Sequence, residues 1–222
     1  MFATAGPGLT DHVERVEFGE LDIEFDGTVL RPRPWTAMQS LWAAELARSA
    51  RAGPILELCS GAGHIGLYAA VLSGRALVQV DRDPSACRFA RLNAERAGLG
   101  DRVDIRCDHL ASALGPDEQF PLVIADPPYV PSVDVPRFPD DPRTAIDGGP
   151  SGLDVILACL DIAAGHLFDD GACLLQVRGP AQVDALVRPA AARALVVDDS
   201  RTFDDERAVA LVRRRARSGG RP

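Results

Sequence analysis

The chain reads as a doubly wound α/β protein. The expected sheet is mostly parallel, with seven strands of which one is antiparallel, and a hairpin-and-helix flap precedes it. Three observations predict this. Short apolar runs alternate with helical stretches of about 10–15 residues, the pattern of parallel strands joined by crossover helices. A glycine-rich turn joins the first of these runs to the helix that follows it. The 222 residues, 46% hydrophobic and 25% charged, suit one domain with a full core.

In chain order, Leu21–Phe25 and 28–30 flank Asp26-Gly27, a hairpin signal. Pro32-Arg33-Pro34 then blocks regular structure, and 35–51 reads as a helix with Thr36 near its start. Strands follow at Ile55–Leu58 and 76–80, separated by a helix at 65–72 that Gly74 ends. Asp83-Pro84 is a good N-cap and first-turn pair for a helix at 84–97, closed by Gly98. A strand at Val103–Cys107, a turn near 110–114 and a strand at 122–125 come next. Ser151 and Asp154 form a capping-box pattern ahead of a helix at about 153–168. A strand at 172–177, a helix near 181–187 and strands near 195–197 and 209–213 complete the run. Only a loop (198–208) is expected between the last two, so one of them is antiparallel. This divides the chain into a flap at 1–52, a main domain at 53–215 and a disordered tail at 216–222.

Composition narrows the function. No apolar stretch approaches the roughly 20 residues of a membrane span, and no signal sequence opens the chain. The five cysteines are odd in number and scattered, and no CxxC pair occurs. They read as reduced core residues of a cytoplasmic protein. The four histidines show no ligand spacing, so no metal site is expected. A net charge of −8 disfavours nucleic acid as a partner. Arg213, Arg214, Arg215 and Arg217 form the one basic cluster and read as a solvated tail.

Residues 55–66, Ile-Leu-Glu-Leu-Cys-Ser-Gly-Ala-Gly-His-Ile-Gly, place Gly61, Gly63 and Gly66 in a G-x-G-x-x-G turn. Asp81 lies 20 residues beyond Gly61, at the end of the next strand. That is a dinucleotide fingerprint, so an NAD-dependent oxidoreductase is one reading. Glu57 favours the other. A carboxylate beside a diphosphate is repelled, whereas beside an ammonium or sulfonium it is attracted. S-adenosylmethionine carries those cations and no phosphate. Asp81 can accept both ribose hydroxyls in either reading. Asp108 follows the third strand, where an acid can accept the adenine amino group, with His109 flanking the ring or rim. His64 reads as a solvent-facing residue of the first helical turn.

The strand at 122–125 ends in Asp126-Pro127-Pro128-Tyr129. The prolines have fixed φ and no N–H, so an acidic side chain, a free carbonyl and a phenol ring stand on a stiff backbone. Such a group can hold a planar NH-bearing acceptor; the alternative is a plain turn.

With these residues in order, the chain resembles the class I S-adenosylmethionine-dependent methyltransferases, whose sheet is Rossmann-like. More narrowly it resembles the HemK-type release-factor glutamine N5-methyltransferases. The match runs through Leu30-Arg31-Pro32-Arg33-Pro34-Trp35-Thr36, Glu57 to Gly66, Asp81, Asp108 and Asp126 to Tyr129. The stretch Ala145-Ile146-Asp147-Gly148-Gly149-Pro150-Ser151-Gly152-Leu153-Asp154 is similar to the family's glycine segment. The resemblance implies S-adenosyl-L-methionine as cofactor, S-adenosyl-L-homocysteine as product, and N-methylation of a glutamine side chain in a protein such as a release factor. It implies that Asp126 and the Pro127 carbonyl accept from the target NH₂ while Tyr129 stacks on its plane, with Arg33 and Pro128 also touching substrate. Around the cofactor it implies Thr36, Glu57, Cys59, Gly61, Gly63, Asp81, Arg82, Asp108, His109 and Asp126.

Asp126 stands where the family usually has Asn, and Trp35 where it usually has Asp. The bacterial members carry an extra helical domain, and single-domain relatives work with a small activator subunit, which makes such a subunit a candidate partner. A small-molecule methyltransferase is the second reading. A nucleic-acid amino methyltransferase, an oxidoreductase or a cofactor-binding partner without chemistry rank below it.

Overall fold

The computed structural model describes residues 12–215. The expected tail at 216–222 lies outside them. Seven strands form one sheet in the order β5-β4-β3-β6-β7-β9-β8. In sequence these are β3 (Ile55–Leu58), β4 (Leu77–Asp81), β5 (Val103–Cys107), β6 (Phe120–Ala125), β7 (Leu167–Val177), β8 (Leu195–Asp204) and β9 (Arg207–Arg214). Strands β3 to β7 are mutually parallel, and β9 runs antiparallel to both β7 and β8.

Strands β3 and β6 are buried along their whole length, which is why they read as unbroken apolar runs rather than alternating ones. Alternate side chains of these strands and of β7 feed two core layers. Ile55, Leu122, Ile124 and Leu174 pack with α1 (Ala37–Ala47), α2 (His64–Ser73) and α3 (Pro84–Arg96). Leu56, Leu58, Val123, Ala125 and Leu175 face α5 (Asp154–His166) and α6 (Gly179–Ala192). The short helix α4 (Arg143–Ile146) belongs to the segment between β6 and α5.

Four local expectations are corrected. The N-terminal hairpin pairs β2 (Leu21–Phe25) with the upstream β1 (Glu14–Phe18), not with 28–30. Asp26 instead closes a tight turn, its Oδ1 accepting from the Thr28 N–H at 2.8 Å. The helix expected from residue 35 begins as a 3-10 turn at Pro34–Thr36, and α1 starts at Ala37. No capping box forms at Ser151. Leu153 is the N-cap without a side-chain bond, and the Asp154 N–H donates to Gly148 O at 2.9 Å. Finally, the segment 198–208 is mostly strand: β8 and β9 form a long hairpin turning at residues 205–206. Strand β8 is the outer edge of the sheet, so its polar residues face solvent and mask its pairing in the sequence.

Candidate active site

The spatial order 5-4-3-6 means that the chain winds outward from β3 in one direction and from β6 in the other. The crevice between β3 and β6 is therefore the topological switch point, where open α/β sheets bind ligands at the carboxyl ends of their strands. Asp108, Asp81, the glycine turn and Asp126 sit at the ends of β5, β4, β3 and β6, in a row. Three strand spacings cover about 14 Å, enough for an extended nucleoside with an amino-acid arm.

The glycine turn is built for close approach. Gly61 and Gly63 have φ of +54° and +84°, a region that disfavours side chains. A Cβ on Gly63 would fall 2.8 Å from Gln79 Nε2, whereas one on Gly61 would meet nothing within 4 Å, so open space lies over Gly61. The loop's own donors are spent internally. Gly61 N–H donates to Asp81 Oδ2 at 2.8 Å, Gly63 N–H to Ser60 O at 2.8 Å, and Gly66 N–H to Glu57 Oε1 at 2.9 Å. A pyrophosphate would find none of these three glycine amides to cradle it, which argues against the dinucleotide reading.

Glu57 is 1% exposed and lies beneath the turn, bonded by Gly66 and by Gln79 Nε2 at 2.6 Å. Burial pushes its carboxyl up to about 8, against the pull of those two donors. It thus supports the turn from below, and a cation above would draw it toward its ionised form. Asp81 also accepts from Asp83 N–H at 2.9 Å, and burial raises its pKa. A carboxylate has about four lone-pair sites, so two remain for ribose hydroxyls. Asp108 is exposed; bonds from Ser112 Oγ and the His109 N–H to Oδ1 lower its pKa and leave Oδ2 for an adenine amino group. Arg82 and His109 are exposed beside these acids, and Cys59, half-buried with φ of +56°, starts the turn opposite Asp126.

His64 is not solvent-facing. It is 8% exposed, edge-on to Phe18 of the hairpin at 4.7 Å, and burial lowers its pKa to about 3, so it is neutral. Thr36, also buried, donates to Arg33 O at 2.7 Å and lies 3.4 Å from His64 Nε2.

At the end of β6, Asp126 is half-buried and its pKa rises to about 7 through burial. Burial raises the Tyr129 pKa further, with Asp126 adding to the shift and Arg207, Arg33 and Arg178 opposing it. These arginines are themselves paired: Arg33 with Asp141 at 2.5 Å, Arg178 with Asp134 at 2.5 Å, and Arg207 with Asp204 at 3.0 Å. The late glycine segment exists to let the backbone reach this strand end. A Cβ on Gly152 would lie 2.4 Å from Tyr129 O, and one on Gly148 2.7 Å from Pro128 O.

Sequence reasoning missed three glutamines. Gln182 Nε2 donates to Tyr129 O at 2.9 Å, fixing the ring's backbone. Gln79 holds Glu57, and Gln39 Nε2 bridges Ala125 O and Leu174 O, each at 2.9 Å. Only Gln79, a lone polar residue within an apolar strand, left a signal. A separate cavity of about 460 Å³, lined in part by Phe25, Arg31, Arg33, Phe138 and Asp141, opens beside the hairpin without touching the glycine turn.

Comparison with known proteins finds methyltransferases. Residues 39–136 match the methyltransferase small domain. The release factor glutamine methyltransferase of Gloeobacter violaceus is 32% identical over 178 residues, 76% of this chain and 62% of that protein. That of Bradyrhizobium diazoefficiens is 34% identical over 193 residues, 82% of this chain and 63% of its own length. The chain thus spans less than two thirds of either relative. In structure, a ribosomal protein L11 methylase from Lactobacillus delbrueckii subsp. bulgaricus aligns with a TM-score of 0.61 at 15% identity, covering 85% of this chain and 83% of the other. Part of the chain thus matches a methyltransferase domain, and most of it is similar to release factor glutamine methyltransferases.

Proposed function

We propose that the chain methylates a planar amide nitrogen, with the glutamine side chain of a protein as its acceptor. The observation that carries this reading is Asp126 and the Pro127 carbonyl, two acceptors on a rigid backbone, at the end of the strand across the crevice from the glycine turn. S-adenosylmethionine supplies a methyl group on a sulfonium, and in this reading the adenine, ribose and amino-acid parts are held by Asp108, Asp81 and the turn over Glu57. Thr36, Cys59, Gly61, Gly63, Arg82 and His109 complete that side, and Arg33, Pro128 and Tyr129 the acceptor side.

An amide nitrogen is a poor nucleophile because its lone pair is delocalised. Asp126 and Pro127 O, by accepting both N–H groups, turn that lone pair toward the methyl carbon, while Tyr129 packs on the amide plane. Catalysis is then mainly positioning and electrostatics. When the N–C bond forms, the nitrogen must shed one proton, and Asp126, held near neutrality by burial, is placed to take it.

A small-molecule acceptor is the second reading, favoured by Asp126 in place of the usual Asn. A protein acceptor from translation and five free cysteines suit a cytoplasmic setting. Incubation with labelled methyl donor and, separately, release factors, a metabolite extract and RNA decides among these. Label in a release-factor glutamine is expected, and transfer to RNA alone overturns the proposal.

A further inference from the structure

We infer that Trp35 and Gln176 complete the acceptor site by donating hydrogen bonds to the carbonyl oxygen of a primary carboxamide, so that both ends of the amide are read. The inference rests on the amide-methylating function proposed above and names the group that function selects.

Gln176 lies on β7, is 1% exposed, and neither atom of its carboxamide has a partner. A buried amide left unbonded carries a free-energy penalty, and such a group needs an explanation. Its position supplies one. Ala125 and Leu175 are the last paired residues of β6 and β7, so Asp126 and Gln176 follow side by side. Alternation along the strands places them on one face: Ile124 and Leu174 belong to the core layer beneath α1, Ala125 and Leu175 to the opposite layer. Gln39 of α1 lies over that spot, since its amide reaches Ala125 O and Leu174 O.

Trp35 stands one helical turn before Gln39, and its indole N–H is likewise buried without a partner. Gln176 pairs in register with Val209, and two residues earlier on that strand the Arg207 guanidinium lies 3.7 Å from the centre of the Trp35 ring. Asp126, Gln176 and Trp35 thereby converge from three elements. Neither donor atom is reachable by water as the chain stands, so an acceptor reaches them by shifting the indole, whose outer cover is a guanidinium rather than core.

The count of bonding groups selects the acceptor. A primary carboxamide offers two N–H donors and an oxygen with two lone pairs. The site offers two acceptors, Asp126 and Pro127 O, and two side chains with free N–H groups, the Trp35 indole and the Gln176 carboxamide. An exocyclic amine on a nucleobase sits beside a ring nitrogen with a single in-plane lone pair, so one buried donor would stay unbonded. Such mismatches are rejected strongly.

The test uses the full chain, labelled methyl donor, a short peptide with one glutamine, and an adenine-bearing RNA oligonucleotide. Gln176→Leu and Trp35→Phe keep the shape and remove one donor each. Each is expected to lower kcat/KM for the glutamine peptide roughly tenfold, with melting temperature and S-adenosylmethionine affinity unchanged. Wild-type transfer to the peptide that both variants retain in full overturns this inference alone. No wild-type transfer to the peptide overturns the proposed function, and this inference with it.

Discussion

The Gly66 N–H donates to Glu57 Oε1 at 2.9 Å, tying the first turn of α2 to the end of β3 through a buried carboxylate. Glu57 is thus a structural acid whose protonation is coupled to folding. Its folded pKa of about 8 lies above the ordinary value of 4.5, so the folded state holds the proton longer. The stability this proton confers is full below about 4.5 and is lost as pH rises through about 8. In chemical denaturation across that window, wild type is expected to lose stability relative to Glu57→Gln. A difference that does not change with pH contradicts the assignment.

The same contact fixes residue 66 as glycine. A Cβ there would lie 2.3 Å from Glu57 Oε2 and 3.1 Å from a Leu77 methyl, with both neighbours in the core. Gly66→Ala is expected to destabilise the protein by about 1–3 kcal/mol, as overpacked sites do. It is also expected to weaken cofactor binding, measured by calorimetry.

In the proposed reaction Asp126 acts as an ionised acceptor. With its pKa raised to about 7, kcat/KM for the acceptor is expected to rise as pH passes about 7 and then level off. Asp126→Ala is expected to abolish turnover with S-adenosylmethionine affinity kept within a few fold. Asp126→Asn removes the acid limb from the pH–rate profile. An unchanged limb in that variant excludes Asp126 as the titrating group.

Asp81 ties the turn through Gly61 and, in the proposed reading, also faces the ribose. Asp81→Ala removes both, and S-adenosylmethionine affinity is expected to fall by at least tenfold, since bonds to a charged group are worth about 1.5–3 kcal/mol each. Calorimetry measures it, with NADH, for which wild type is expected to show no affinity, as the control.

Gln182 holds Tyr129 from behind. Gln182→Leu leaves Tyr129 O without its bond and Arg178 N–H without its 2.7 Å acceptor. A stability loss of about 1–3 kcal/mol is expected. Acceptor KM should rise while cofactor affinity holds.

Strands β3 and β6 were legible because burial on both faces leaves continuous apolar runs, and their ends were legible because glycines and an acid interrupt those runs abruptly. The hairpin partner was misplaced because Asp26-Gly27 is a turn signal in its own right, with a turn that joins no strands. His64 was misplaced for a related reason: Phe18 covers it, and nothing near residue 64 announces a hairpin arriving from residue 18. Strand β8 was shortened because an edge strand pairs through its backbone and needs no apolar face.

The sequence by itself determined the doubly wound, mostly parallel sheet, the glycine turn, and the acids and Asp-Pro-Pro-Tyr segment that occupy the strand ends. These are local signals: each is set by a few adjacent residues and the period of the strand they close. Only the tertiary structure decided that Glu57 lies under the turn rather than open to it, that the turn's glycine amides are already bonded, and that Gln182 braces Tyr129. It alone set residue 176 beside 126 and the guanidinium of Arg207 over the Trp35 ring, because sheet order and helix packing, not distance along the chain, choose the neighbours of a strand end.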